Sequence, residues 1–123
     1  KSLDGVTFIN RRLSTASQFK NSDFFLLTSR YEGMPLTVVE AMASGLVVFM
    51  TPVKAAESLV ENGKTGFIAP DYSAESIAKL IISATNKPSK LAQISRNARK
   101  FSSNFSAEKM TKSYLRLFIK LSK

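Results

Sequence analysis

Two short apolar runs separated by a helical segment most constrain how this chain can fold. The runs are 24–28 and 46–50, with the sequences FFLLT and LVVFM. Continuous apolar runs of this length are typical of strands that are buried on both faces of a parallel sheet. Between them the sequence predicts a helix over 35–44, with Pro35 at its first position and Gly45 directly after its end. A strand, a helix and another strand in this order predict an α/β domain with a parallel sheet.

The remaining segments alternate between strand-like and helical patterns. Strands are predicted over 6–10 and 66–69, and helices over 14–21, 55–61, 73–85, 89–101 and 106–121. The helix over 73–85 has a capping signal, because Ser73 directly precedes its first turn. Its apolar face is expected to consist of Ile77, Leu80, Ile81 and Ala84. The pattern predicts one domain over 1–123, with about four mostly parallel strands flanked by helices.

The chain contains neither cysteine nor histidine. Their absence excludes disulfides, thiol nucleophiles, Cys/His zinc sites and a histidine general base within these residues, and we expect no metal site. The longest apolar stretch, over 46–50, is far shorter than the ~20 residues that span a bilayer. No signal-peptide pattern follows Lys1. We therefore expect a cytoplasmic protein, placed at the inner face of a membrane if it contacts one. A start at Lys1 also suggests a fragment of a longer protein.

Positive charge is concentrated at the end of the chain. The net charge is +9, and residues 86–123 carry the whole excess, with ten basic side chains against Glu108 alone. The apolar face of the last predicted helix consists of Met110, Tyr114, Leu117, Phe118 and Leu121. Its basic face consists of Lys109, Lys112, Arg116, Lys120 and Lys123. This pattern is typical of peripheral membrane contact and also of a core-packed helix with a solvated basic face, which we favour. Nucleic-acid binding is not predicted, because the charge is not interleaved with a recognised motif.

The loop between the first buried run and the following helix carries the candidate binding residues. It ends at a helix N-terminus, where backbone amides and the helix dipole favour an anion. Carboxylates in the loop and in the helix could accept hydrogen bonds from the hydroxyls of a sugar and a ribose. A phosphate between two polyols describes a nucleotide sugar; the simpler interpretation is two solvated carboxylates. The candidate residues are Glu32, Gly33, Met34, Pro35, Leu36, Thr37 and Glu40.

Three motifs make a family resemblance specific. They are SRYEGMPL over 29–36, EAMASG over 40–45 and ENGKTGFI over 61–68. Through them the chain resembles the C-terminal, donor-binding domain of retaining glycosyltransferases with the GT-B fold. The resemblance implies a partial Rossmann-like domain and a nucleotide diphosphate sugar as donor substrate, with no cofactor. It also implies that Glu32 lies near the transferred sugar as the catalytic residue, that Glu40 binds the ribose, and that the amides between them approach the sugar and pyrophosphate.

The chain also departs from this family. The loop over 51–58 lacks the family's glycine pair, and its glutamate, Glu57, comes one place early. The resemblance places the phosphate-binding arginine and lysine upstream, together with an N-terminal acceptor domain. It also makes 6–10 the third strand of a sheet ordered 3-2-1-4-5-6, which leaves a gap beside 24–28. We therefore expect the isolated chain to self-associate and to be inactive. The alternative function is a non-catalytic nucleotide or nucleotide-sugar binding module.

The segment over 62–66, Asn-Gly-Lys-Thr-Gly, contains part of a phosphate-binding P-loop pattern. That pattern requires another glycine five residues before Gly63, where this chain has Ser58. A turn that leads into the strand over 66–69 is therefore predicted. Lys54 and Lys64 are interpreted as surface lysines, although either could lie near an anionic donor.

Overall fold

The order of the elements along the chain produces a small parallel sheet with helices on both faces. The computed structural model describes residues 4–9 and 14–122. The strands are β1 (Phe24–Leu27), β2 (Val47–Met50) and β3 (Phe67–Ile68). The helices are α1 (Thr15–Phe19), α2 (Leu36–Ala43), α3 (Ala56–Leu59), α4 (Ala74–Thr85), α5 (Pro88–Ser102) and α6 (Ala107–Leu121), with a 3-10 turn over Ser103–Phe105. The strand order is β1-β2-β3, and both pairings are parallel.

The predicted strand–helix–strand unit is confirmed. β1 pairs with β2 from Phe24 opposite Val47 to Leu27 opposite Met50. The helix between them ends where Gly45 adopts a positive φ of 86°, a backbone conformation that a residue with a Cβ rarely adopts. Pro35 is the N-cap residue of α2 and not its first helical residue, because the fixed φ of proline suits either position.

Two apolar clusters, one on each face of the sheet, hold the layers together. All four residues of β2 are buried. Val48 and Met50 pack on one face with residues of α1, α2 and α3, whereas Val47 and Phe49 pack on the other with α4 and α5. Burial of a side chain as large as Phe49 contributes about 1.5–3 kcal/mol. The predicted apolar face of α4 is confirmed: Ile77 and Ala84 are buried, and Leu80 and Ile81 pack against the second cluster.

β1 is the edge strand, and the expectation that both of its faces are buried is wrong. Phe24 is 40% exposed and Leu26 is 47% exposed. These two side chains lie on the face where α4 and α5 pack on Val47, Phe49 and Phe67 of the neighbouring strands. The helices therefore cover β2 and β3 and leave this side of β1 open to solvent.

The predicted strand over 6–10 is also wrong, so the described residues form three strands and not four. Residues 6–9 have no strand assignment, and Asn10 lies outside the described residues. Val6, Phe8 and Ile9 are exposed. A strand requires hydrogen bonds to a neighbour, and β1 pairs only with β2 in the described part of the chain.

The last helix does not pack into the core of this chain, contrary to the interpretation that we favoured. α6 has no buried residue, and its apolar side chains are between 49% and 73% exposed. Ser106 caps the start of α6, because its hydroxyl oxygen accepts a hydrogen bond from the Lys109 backbone N–H at 3.3 Å. Among the described residues, no helix is long and apolar enough to cross a membrane.

The turn predicted over 62–66 is confirmed. Gly63 has a φ of +74°, and Asn62 and Gly66 form an isolated bridge. The Thr65 hydroxyl accepts a hydrogen bond from the Glu61 backbone N–H at 2.9 Å. Lys64 forms an ion pair with Glu61, as expected of a surface lysine.

Candidate functional site

The candidate site forms where the ends of β1 and β2 meet. In a parallel sheet the loops that leave the carboxyl ends of adjacent strands lie side by side, and ligands bind there. The backbone N–H of Thr51 donates to the carbonyl of Leu27 at 3.0 Å, which continues the strand pairing. The buried Thr51 hydroxyl then donates to the carbonyl of Ser29 at 2.5 Å. The loop after β1 is thus attached to the end of the central strand.

The same loop holds the carboxylate of Glu32 in place. The hydroxyl of Ser29 donates to Oε1 of Glu32 at 2.6 Å, and the Glu32 side chain is half-buried. A charge-assisted hydrogen bond of this length is stronger than one between neutral groups. The second carboxylate oxygen of Glu32, Oε2, takes no part in this bond and can accept a hydrogen bond from a ligand hydroxyl. Thr51, Ser29 and Glu32 therefore form a continuous chain of contacts.

Sequence reasoning did not assign a role to either hydroxyl residue of this chain of contacts. Ser29 lies in the SRYEGMPL motif and Thr51 in the loop over 51–58, which departs from the family, but nothing in the sequence showed that the two residues meet. The available signal was that each follows directly on, or one residue after, a buried apolar run. Hydroxyl side chains at strand ends are suited to satisfying the carbonyls of neighbouring loops.

Glu32 lines an open cavity of about 540 Å³. This volume lies within the range of small-molecule sites, about 300–1,000 Å³. The cavity is lined by Arg30, Tyr31, Glu32, Gly33, Lys54 and Tyr72. The Tyr72 hydroxyl donates to the carbonyl of Pro52 at 2.9 Å, so the loop after β2 also forms part of the wall. The structure thereby places Lys54, interpreted from sequence as a surface lysine, in the same cavity as Glu32.

Glu40 lies in a different cavity. That cavity measures about 480 Å³ and is lined by Ser14, Thr15, Ala16, Phe19, Glu40, Ala43 and Ser44, between α1 and α2. Glu40 is exposed on the surface of α2. The structure therefore places the two candidate glutamates in separate cavities.

The N-terminus of α2 lies between the positions of these two glutamates in the sequence. Its N-cap residue, Pro35, has no side chain that could cap the helix, and the first amides of a helix have no intrahelical partner. Met34 and Leu36 are exposed, so this end of the helix is open to solvent. Amides around Leu36 and Thr37 are available to an anion, with a contribution of about 0.3–1 kcal/mol when exposed.

The arrangement has the groups that hydroxyl recognition and anion binding require. Glu32 and Glu40 supply hydrogen-bond acceptors, and the start of α2 supplies donors. Among residues 4–9 and 14–122, no group of three or more acidic side chains is placed to hold a metal ion. Oriented donors beside a developing negative charge are a strong source of catalytic stabilisation.

Comparisons with known proteins identify the family and the fold of this chain. The sequence model of the family described as "Glycosyl transferases group 1" matches residues 2–101. An uncharacterized glycosyltransferase of Haemophilus influenzae is 32% identical over 108 residues, which is 87% of this chain and 31% of that protein. The fold matches a structure of Anabaena HepE in complex with UDP and glucose, with a TM-score of 0.85, 23% identity, and coverage of 95% of this chain and 32% of that one.

A second Anabaena HepE structure, in complex with UDP-glucose, matches with a TM-score of 0.75 and 26% identity over 82% of this chain and 28% of that one. These matches confirm the α/β, partial Rossmann-like fold class and the resemblance inferred from the three motifs. The chain spans about a third of the length of these relatives, 31% for the Haemophilus protein.

Proposed function

The chain belongs to the glycosyl transferases group 1 family, and we propose that it is the donor-binding part of an enzyme that transfers a sugar from a nucleotide sugar with retention of configuration. The observation that carries the proposal is the Glu32 carboxylate, held by Ser29 at 2.6 Å in a cavity directly before the open N-terminus of α2. A sugar that carries a diphosphate needs these two kinds of contact side by side.

Each candidate residue has a defined role in this proposal. Glu32 accepts hydrogen bonds from the hydroxyls of the transferred sugar and orients it. Gly33 allows close approach of the backbone, and the amides from Met34 through Thr37, interrupted by Pro35, face the diphosphate. As the bond to the leaving group breaks, those amides stabilise the charge that develops on the diphosphate. A nucleotide sugar is also the ligand that the name of one HepE structure gives for that protein.

The ribose belongs to the second cavity. Glu40 presents a carboxylate there, and two oxygens of one carboxylate can accept from both hydroxyls of a diol. In this proposal the sugar lies at Glu32, the diphosphate at the start of α2 and the ribose at Glu40. We propose no cofactor beyond this donor.

The chain supplies only part of a complete enzyme in this proposal. It contains no histidine, and its contribution is orientation of the sugar and stabilisation of the leaving group. The acceptor and further phosphate contacts come from another part of the longer protein. We therefore expect the isolated chain to bind nucleotide but not to transfer sugar.

α6 provides the surface for contact with that other part of the protein. A match that covers 95% of this chain includes most of α6, in a protein of which this chain covers 32%. Most of the stability of an amphipathic helix comes from packing of its apolar face, and the apolar side of α6 is largely exposed. In the longer protein, we propose that this partner is protein, and not a membrane surface. Binding of the full-length protein to anionic vesicles, lost when the lysines of α6 are removed, would instead favour the membrane.

The decisive experiment measures sugar transfer by the full-length protein against a panel of nucleotide sugars. Glu32→Ala is expected to abolish transfer, whereas Glu75→Ala, which changes an exposed glutamate of α4 outside the Glu32 cavity, is expected to leave it intact. Unchanged transfer by Glu32→Ala would contradict the assignment. Nucleotide binding without transfer of any sugar would favour the alternative, a non-catalytic binding module.

A further inference from the structure

The cavity around Glu32 contains more positive charge than the proposed donor contacts use. Arg30 and Lys54 line it together with Glu32. Within residues 4–9 and 14–122, the ion pairs join Lys64 to Glu61 and Lys112 to Glu108, so neither cavity cation is neutralised by a carboxylate. The hydrogen bond to Glu32 comes from Ser29. Two cations and one carboxylate therefore face the same open volume.

The backbone that carries Lys54 is held in place. Thr51 and Val53 are buried, and the backbone N–H of Val53 donates to the carbonyl of Thr51 at 2.8 Å. Tyr72 holds the carbonyl of Pro52 at 2.9 Å. The lysine side chain therefore starts from a fixed turn beside the cavity, with its ammonium group within reach of a ligand there.

The proposed function gives these two cations no defined contact. The cavity lining includes Gly33 but none of the residues 34–37, whose amides receive the diphosphate in the proposed function. The lining combines two tyrosines, a carboxylate and two cations. Tyrosine rings present an apolar face with a polar edge, and a carboxylate accepts from hydroxyls. An arginine fork matches a carboxylate or phosphate group.

From this combination, we propose that the cavity binds an acidic sugar, with Arg30 and Lys54 on its carboxylate or phosphate and Glu32 on its hydroxyls. This inference rests on the proposed function, because it uses Glu32 as a sugar contact and names the class of sugar. The acidic group can belong to the transferred sugar of the donor or to the acceptor, and binding measurements distinguish these sources.

The test is a titration of the isotopically labelled full-length protein, followed by amide NMR, with glucose, glucuronate and glucose 6-phosphate. We expect the two acidic sugars to bind about tenfold more tightly than glucose, as one charge-assisted contact provides, and to shift the amides of Arg30, Gly33 and Lys54. The preference should weaken as salt rises, because the cavity is open to solvent.

Variants locate the effect. Lys54→Gln and Arg30→Gln are expected to remove most of the preference for acidic sugars, and Lys54→Arg to keep it. Lys79→Gln, which changes an exposed lysine of α4 outside the cavity, should behave like the wild type. Equal affinity for glucose and glucuronate, or an unchanged preference in both glutamine variants, would overturn the inference.

A parallel titration with UDP separates this inference from the proposed function. Shifts at Thr37 and Glu40 with UDP, without any preference for acidic sugars, would overturn the inference and leave the function standing. An acidic-sugar preference without UDP binding would contradict the proposed function, and the cavity would remain an acidic-sugar site. If UDP-glucuronate binds about tenfold more tightly than UDP-glucose, the donor supplies the acidic group. If glucuronate binds to the UDP-saturated chain, the acceptor supplies it.

Discussion

Replacement of Thr51 by valine tests whether the end of β2 positions the sugar-binding loop. The Thr51 side chain is 4% exposed, and its hydroxyl donates to the Ser29 carbonyl at 2.5 Å, with a longer contact of 3.4 Å to the Leu27 carbonyl. Thr51→Val keeps the branched shape and removes the donor. The Ser29 carbonyl then loses its contact to this hydroxyl, at a cost of about 1–3 kcal/mol.

The variant should therefore unfold at lower urea concentration and also bind nucleotide sugar more weakly. Far-UV circular dichroism suits the first measurement because the chain has no tryptophan, and calorimetric titration of the full-length protein suits the second. The weaker binding follows because Ser29 is released, and Ser29 positions Glu32 through the 2.6 Å hydrogen bond.

A control separates a local effect from a general loss of stability. Ile94→Val changes a buried residue of the cluster on the opposite face of the sheet. It should lower the free energy of unfolding by about 0.5–1.5 kcal/mol, which overlaps the loss expected for Thr51→Val. It should leave the affinity for nucleotide sugar unchanged. Thr51→Ser should retain most of the affinity, since it keeps the hydroxyl. Wild-type affinity in Thr51→Val, or an equal loss in Ile94→Val, would refute the positioning role.

Further predictions concern the turn, the helix cap and α6. Gly66→Ala should lower the free energy of unfolding by about 1–3 kcal/mol, because a Cβ would lie 2.9 Å from a buried valine methyl. Gly33→Ala should not lower it, because a Cβ there would meet nothing within 4 Å. Equal denaturation curves for the two variants would contradict this prediction. Hydrogen bonds from Ser73 lower the pKa of Asp71. The stability that Asp71 contributes is present above the ordinary aspartate pKa of about 3.9 and is lost as the pH falls through the lowered value, so acid denaturation of Asp71→Asn should lack this component. Phe118→Lys, on the exposed side of α6, should reduce self-association of the isolated chain in sedimentation experiments; a wild-type chain that stays monomeric at high concentration would show that α6 is not adhesive.

Most of the elements were predictable because their signals are local, whereas the strand predicted over 6–10 did not form in the described residues because a strand also needs a neighbour. A helix between two apolar runs, its end at Gly45 and the cap at Ser73 each depend on residues within about one helical turn. The stretch from Ser29 to Gly45 was likewise recognisable, because its glycine, proline and glutamates lie close together in the sequence. For these features the order of residues is sufficient, since backbone conformation and capping are settled over a few positions.

Contacts between distant segments were not predictable in the same way. Thr51 reaches Ser29 across 22 positions, and Lys54 enters the Glu32 cavity, only because β1 and β2 pair in a particular parallel register. The exposure of Phe24 and of the whole of α6 has the same origin, since an apolar pattern shows that a side chain favours burial but not whether a neighbour covers it. The amino-acid order thus specified strands, helices and a recognisable loop. Strand pairing and layer packing, which depend on the summed contacts of the whole domain, determined which of those residues share a cavity and which remain exposed.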